Sequence, residues 1–238
     1  MSRQNKPFHF KQFEVWHTGS SMKVGTDAVL LGSWVDAKNA KYALDVGTGS
    51  GVLALMLAQR FSLLRITGID IHRKSISEAA HNFQNSSWSP RLRAIEASLA
   101  KFKPVDKFDL VVSNPPFFDT GYAGPKTDRS KARHTKTLSH AALLTAANAL
   151  LNASGSLAVV IPALSKNSFQ EMATSTGLHV WRTMVFKSKK EKPAERVLLQ
   201  FSKSRPKANS RSELVHYDSE GNWTEEYRSL TRDFYIKL

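Results

Sequence analysis

The residues with the most specific chemistry in this chain are five in a row, Ser113-Asn114-Pro115-Pro116-Phe117. They close the apolar run Phe108-Asp109-Leu110-Val111-Val112. Two successive imino acids have no N–H to give a sheet ladder, so the strand ends there. What remains at its carboxyl end is a stiff turn with an amide at Asn114, a bare carbonyl at Pro115 and an aromatic face at Phe117. A planar group carrying an exocyclic NH2 suits such a turn. Its two N–H bonds reach the Asn114 side-chain oxygen and the Pro115 carbonyl while its ring lies on Phe117. In open α/β sheets ligands bind just beyond the carboxyl ends of the strands. A plain Pro-Pro turn that packs an aromatic has the same residues, so the stretch upstream decides between the two readings.

That stretch is Gly47-Thr48-Gly49-Ser50-Gly51, between a short apolar strand ending Asp45-Val46 and a buried helix over 52–60. Strand, glycine turn and helix in this order form a phosphate- or nucleoside-binding context. Gly47 and Gly49 permit a tight turn and a close backbone approach to a ligand. A dinucleotide fingerprint wants its third glycine where Val52 stands; here it comes one residue earlier, at Gly51, behind Asp45. That spacing argues against NAD. The next strand, Arg65 to Asp70, ends in an acid about 20 residues beyond the turn, where a ribose-binding carboxylate belongs. Further upstream, Lys23-Val24-Gly25-Thr26-Asp27 precedes an apolar helix from Ala28. Thr26 or Asp27 caps that helix, or the segment binds the ligand; both readings stand.

The elements that must hold these residues alternate. Residues 8–17 have the period of one half-buried strand. Residues 73–86 read as an amphipathic helix with Ile76, Ala79, Ala80 and Phe83 on one face. Strands follow at 92–98 and 108–112, a helix at 139–151, a strand at 155–162, and a helix at 165–176 stopped by Gly177. Two closing strands at 179–186 and 196–201 flank the basic tip Lys187-Ser-Lys-Lys-Glu-Lys-Pro193. The tail from 213 holds a turn at 217–222 and a short helix from Thr224. Strands alternating with helices predict an α/β fold with a doubly wound, mostly parallel sheet. One domain is expected, with an amino-terminal extension over 1–38, a core over 39–205 and a tail over 206–238.

The formal net charge of +14 over 238 residues points to a polyanionic partner. Much of the charge is clustered. Residues 119–140 lack periodicity and hold Lys126, Arg129, Lys131, Arg133 and His134, which predicts substrate contact. His134 and His140 read as RNA contacts or caps rather than acid–base catalysts. Lys187, Lys189, Lys190 and Lys192 form a second phosphate-binding group. No window approaches the roughly 18 apolar residues of a membrane span, and no secretory signal opens the chain. The lack of cysteine removes disulfides, thiolate zinc sites and cysteine nucleophiles. The expectation is a cytoplasmic protein with no membrane, no metal and no indicated oligomeric partner.

Together the glycine turn, Asp70 and the Asn-Pro-Pro-Phe turn resemble the class I methyltransferases that use S-adenosylmethionine. The last motif is typical of members that methylate an exocyclic or amide nitrogen. The resemblance implies a Rossmann-like, seven-stranded sheet with a reversed final strand. It implies that Asp45, Gly47, Gly49 and Gly51 surround the methionine and ribose of the cofactor, that Asp70 holds the ribose hydroxyls, and that Lys23, Gly25, Thr26 and Asp27 form a cofactor motif. Ser98 stands where an acid often bonds the cofactor's adenine amine. A closer resemblance, to the bacterial tRNA1(Val) adenine-N6 methyltransferases, rests on Phe10-Lys-Gln-Phe13, Met22 to Asp27, Arg133-His134 and Thr231 to Leu238. It runs nearly end to end and implies adenosine 37, beside the anticodon, as target. Other enzymes with related turns are the alternatives: ribosomal-RNA guanine-N2, release-factor glutamine and DNA adenine methyltransferases. A catalytically dead RNA-binding module is another.

Overall fold

Runs rich in Val, Leu and Ile, cut by glycine and proline, become the strands of one large sheet in a computed structural model that describes residues 6–17, 23–115 and 138–237. Pro116, Phe117, Lys126, Arg129, Lys131, Arg133 and His134 lie outside the described residues. In chain order the elements are β1 (Phe8–His9), β2 (Glu14–Val15), α1 (Thr26–Trp34), β3 (Tyr42–Val46), α2 (Val52–Arg60), β4 (Arg65–Asp70), α3 (Arg73–Gln84), β5 (Leu92–Glu96), β6 (Phe108–Ser113), α4 (His140–Leu150), β7 (Leu151–Pro162), α5 (Lys166–Ser175), β8 (His179–Lys189), β9 (Arg196–Ser202), β10 (Ser210–Tyr217) and α6 (Glu225–Thr231).

The sheet order is β10-β8-β9-β7-β6-β3-β4-β5. All pairs are parallel except the two that β9 makes, with β7 and β8. The expected reversed strand is therefore present. The sheet nevertheless has eight strands where seven were expected. The extra one, β10, comes from the segment read as tail and pairs with β8 from Ser210↔Arg182 to Tyr217↔Lys189. An edge strand needs no buried alternation. Residues 210–213 are exposed, so the usual signal is missing there. The single strand expected over 8–17 is a hairpin instead, β1 against β2, closed by Phe10 N–H donating to Phe13 O at 2.8 Å.

Both faces of the sheet are covered, as parallel strands require. Along β6, Leu110 and Val112 enter one apolar cluster with α1, α2 and α3, while Val111 enters the other with α4 and α5. His140, expected at RNA or as a cap, opens α4 with 7% exposure and sets its ring edge-on to Phe169 at 5.0 Å. The cap of α4 is Ser139, whose hydroxyl accepts from Ala142 N–H at 3.2 Å. The amino-terminal hairpin packs on the carboxyl-terminal segment: Lys11 N–H donates to Phe234 O at 2.8 Å, and Phe10 stacks on Phe13 with centroids 4.5 Å apart.

α3 is seated against the start of α2 by the absence of a side chain. Gly51 is the N-cap of α2 at φ 84°, and a Cβ there would overlap the Phe83 ring. Gly51→Ala combines a left-handed alanine with that overlap. It is expected to lower stability by about 2–3 kcal/mol, read as a lower denaturant midpoint at unchanged m-value.

Candidate active site

Three neighbouring parallel strands, β4, β3 and β6, deliver the proposed chemistry to one edge of the sheet. Val46 and Ser113 are register partners, and the buried Ser113 hydroxyl donates to Val46 O at 2.9 Å. The two strands that carry the glycine turn and Asn114 are thus tied at their last residues. The glycine turn is held from the other side, because Gly47 and Thr48 N–H both donate to Ile69 O at 2.9 and 3.0 Å. Gly47 and Gly49 have φ of 73° and 56°, and a Cβ on either would project into open space. Both glycines line a cleft of about 440 Å³ whose walls also include Lys23, Asp45, Asp70, Ser98, Asn114 and Pro115.

Asp70 is oriented by backbone: Oδ2 accepts from Gly49 N–H at 3.1 Å and Oδ1 from His72 N–H at 2.9 Å. Each oxygen keeps a lone pair for a hydroxyl donor. The next residue, Ile71, is 44% exposed and also lines the cleft, as does Leu99. These offer an apolar wall to a flat ring. At the far side the Asn114 Oδ1 is shielded from solvent with no hydrogen-bond partner among the described residues. A buried acceptor of this kind, beside the cleft, can take a ligand N–H.

Four expected cofactor residues do not line the cleft. Gly51 serves the α2–α3 packing described above. Gly25, not Thr26 or Asp27, is the N-cap of α1, and it makes no side-chain cap bond. Thr26 is the first residue of that helix, and Asp27 forms an ion pair with Arg196 at 3.1 Å, joining α1 to β9. A carboxylate in a first helical turn with an arginine partner is already provided for.

Sequence reasoning missed Thr48 and Asn82. Thr48 Oγ1 donates to Asp45 Oδ2 at 2.7 Å, and Gly68 makes room for it, since a Cβ there would lie 2.6 Å from that oxygen. Asn82, buried on α3, donates to Ser50 O and Trp16 O at 2.8 Å and accepts from Trp16 N–H at 2.9 Å. It locks the glycine turn to the amino-terminal extension. The available signal was a polar residue at helical spacing from Ala79, next to Phe83 on the buried face.

The methyltransferase small domain family model matches residues 18–179. Curated relatives align nearly end to end. The tRNA1(Val) (adenine(37)-N6)-methyltransferase of Vibrio campbellii is 38% identical, over 99% of this chain and 98% of its own. Those of Trichodesmium erythraeum and Actinobacillus succinogenes are 40% and 41% identical, over 97% of this chain and 98% of theirs. The chain belongs to this family. Solved structures agree on the class I methyltransferase fold. A predicted O-methyltransferase from Agrobacterium tumefaciens superposes with a TM-score of 0.69 at 18% identity, over 87% of this chain and 96% of that one. A Pyrococcus furiosus methyltransferase gives 0.55 at 21%, over 78% and 90%. The cofactor of these methyltransferases is S-adenosylmethionine.

The residues present fit that cofactor. Bare glycine backbone, a carboxylate with spare lone pairs and an apolar wall suit a nucleoside, and the buried Asp45 suits a cation. Burial pushes the Asp45 carboxyl up to about 7, with the nearby Asp70 charge adding to it, although the Thr48 hydroxyl pulls the other way. When bound, S-adenosylmethionine supplies an electrophilic methyl on a sulfonium. The protein's part would be to hold the Asp45 carboxylate near that positive charge and Asp70 at the ribose.

The raised value has a sign that can be followed. Ligand-free folded protein keeps the Asp45 proton up to about pH 7, whereas the unfolded chain releases it near 3.8. Stability therefore falls as pH rises through that window. Asp45→Asn is expected to raise the melting temperature of the ligand-free protein above pH 7, with the gain vanishing near pH 4. Its affinity for S-adenosylmethionine should be weaker and flat with pH, whereas that of the parent declines below pH 7. Melting and titration calorimetry across pH 4 to 8 check both.

Proposed function

We propose that this chain transfers a methyl group from S-adenosylmethionine to the exocyclic N6 of adenosine 37 in tRNA1(Val). The observation that carries this reading is the buried Asn114 Oδ1, without a hydrogen-bond partner among the described residues, beside Pro115 in the same cleft as the glycine turn. Support comes from relatives that bear that activity in their names and match over the whole chain.

The adenine amine is a weak nucleophile because its lone pair is delocalised into the ring. Acceptance of its two N–H bonds by Asn114 Oδ1 and the Pro115 carbonyl draws the nitrogen toward a tetrahedral shape and localises the lone pair. The same acceptors stabilise the positive charge that grows on nitrogen during transfer. Phe117, with Pro116 stiffening the turn, fixes the ring so that nitrogen, methyl and sulfur fall in line. The methylated amine then loses its proton readily, so no strong base is required.

The RNA approaches the edge that carries the cleft. β8 runs parallel to β7 and β6, so its carboxyl end and the tip beyond it lie on that edge. Lys189, Lys190 and Lys192 are exposed there, whereas Lys187 is engaged by Glu213 at 2.9 Å. The first three, with Lys126, Arg129, Lys131, Arg133 and His134 of the adjoining segment, are our proposed phosphate contacts in the anticodon region. We assign the whole chain to one methyltransferase domain acting in the cytoplasm. The described residues include no helix long and apolar enough to cross a membrane.

Radiolabelled methyl transfer to bulk tRNA from a strain lacking this activity, followed by nucleoside analysis, tests the reading. N6-methyladenosine is expected; N2-methylguanosine would assign the chain to the guanine enzymes instead. Asn114→Ala is expected to reduce turnover by roughly 10²–10³-fold at nearly unchanged cofactor affinity. Replacing Lys189, Lys190 and Lys192 by alanine should weaken RNA binding and flatten its salt dependence by about 0.7–0.9 in log–log slope per lost contact. Filter binding at several salt concentrations measures it.

A further inference from the structure

β7 ends at Pro162, and a single 3-10 turn over Ala163–Ser165 leads from it into α5. Ala163 N–H donates to Glu195 O at 3.0 Å, so this turn is pinned to the last residue of the loop that joins β8 to β9. Leu164 stands out from the turn with 94% of its surface exposed. The other nearly bare apolar side chains, Leu63 at 80% and Val105 at 101%, precede β4 and β6 and so lie at the opposite edge of the sheet. Among the described residues Leu164 is thus the most exposed large apolar side chain on the edge where the cleft opens, ahead of Ile71 at 44%.

Its place relative to the chemistry follows from strand register. β6 and β7 are parallel neighbours with Ser113 opposite Val159. Continued past its last pair, that register sets Pro115 beside Ile161. Leu164 is three residues further along the adjacent strand path, roughly 10 Å from the Asn114-Pro115 turn. On its other flank is the hairpin whose tip carries Lys189, Lys190 and Lys192.

An adenine whose N6 is bound by Asn114 has left its stack, and the space it vacates exposes the faces of its neighbours to water. Proteins that separate stacked bases insert an apolar side chain between them. That side chain must be held on a fixed turn, stand clear of the protein's own core and lie about a nucleotide away from the extruded base, with cations near to take the phosphates. Leu164 meets each requirement. We propose that Leu164 enters the anticodon loop and fills the gap left by the target adenosine, a substrate-contacting role that rests on the reading of function above.

The test uses Leu164→Ala and Leu164→Ser, surface changes whose melting temperatures should match the parent. Each is assayed on the intact anticodon stem-loop and on the same RNA with an abasic site next to the target, where the adenosine is already unstacked. The expected result is kcat/KM about tenfold lower on the intact loop, recovery toward the parent value on the abasic RNA, and an unchanged S-adenosylmethionine dissociation constant. Parental kcat/KM for both variants on the intact loop, or an equal loss on both RNAs, overturns the role of Leu164. Failure of the parent enzyme to methylate the intact loop overturns the proposed target, and this inference with it.

Discussion

The whole arrangement depends on the parallel pairing of β3 with β6. Their last partners, Val46 and Ser113, are joined by the ladder and again by the Ser113 hydroxyl on Val46 O at 2.9 Å. Adjacent strands are about 4.8 Å apart, so the chain leaving Val46 and the chain leaving Ser113 share one wall. One chain becomes the glycine turn, proposed to receive the methyl donor; the other becomes the Asn114-Pro115 turn, proposed to receive the amine. Donor and acceptor are brought within reach by sheet geometry alone, which is why both turns can be short. A slip of one residue between these strands would move Asn114 along the edge and exchange the side chains that β6 sends to the two packed faces. Leu110 and Val112 on one face and Val111 on the other, each fully buried, resist that slip.

Two carboxylates on this strand pair show how structural and functional acids differ. Asp109, near the start of β6, accepts from Lys41 N–H, Tyr42 N–H and the Asn152 amide at 2.8–3.0 Å. Burial pushes its carboxyl up, but those hydrogen bonds outweigh it and leave the group below the ordinary carboxylate range. It is a fastener that joins β3, β6 and β7 at their far ends. Asp45, near the end of β3, has the Thr48 hydroxyl and an Ala54 backbone contact against complete burial, and it is driven the other way. Its shortage of donors is the local cost of a site kept ready for a cation.

The core strands and their turns were legible because they advertise themselves: apolar runs of five or six residues, stopped by glycine or proline, with an acid where β4 ends. Lys23, Asp45, Gly47, Gly49, Asp70, Ser98, Asn114 and Pro115 all line one cleft. What sequence concealed is what long-range packing decides. β10 begins Ser-Arg-Ser-Glu and is a strand because β8 offers an open edge, not because of its own pattern. Gly51 resembles its two neighbours in the turn, yet it is there for Phe83. Asp27 sits in a cofactor-like motif, yet its partner is Arg196, 169 residues away. Asn82 acts across 66 residues on Trp16 and across 32 on Ser50, separations that no local period reports.

The choice of an amide rather than an acid at position 114 follows from the same cleft. A carboxylate would accept an amine N–H more strongly than an amide does. At Asn114 Oδ1, however, the described protein gives no donor to keep such a charge in place. Asp45 shows the consequence in this very cleft: with few donors and little water, its carboxyl is driven up to about 7. An acid at position 114, if protonated, would present an O–H toward the amine instead of a lone pair. An amide oxygen accepts at every pH and needs no counter-charge. Its weaker pull is offset by the second acceptor at Pro115, whose carbonyl is likewise indifferent to pH. In the proposed reaction the two neutral acceptors at the end of β6 would face the neutral nucleophile, while Asp45 would face the cationic donor and Asp70 its ribose.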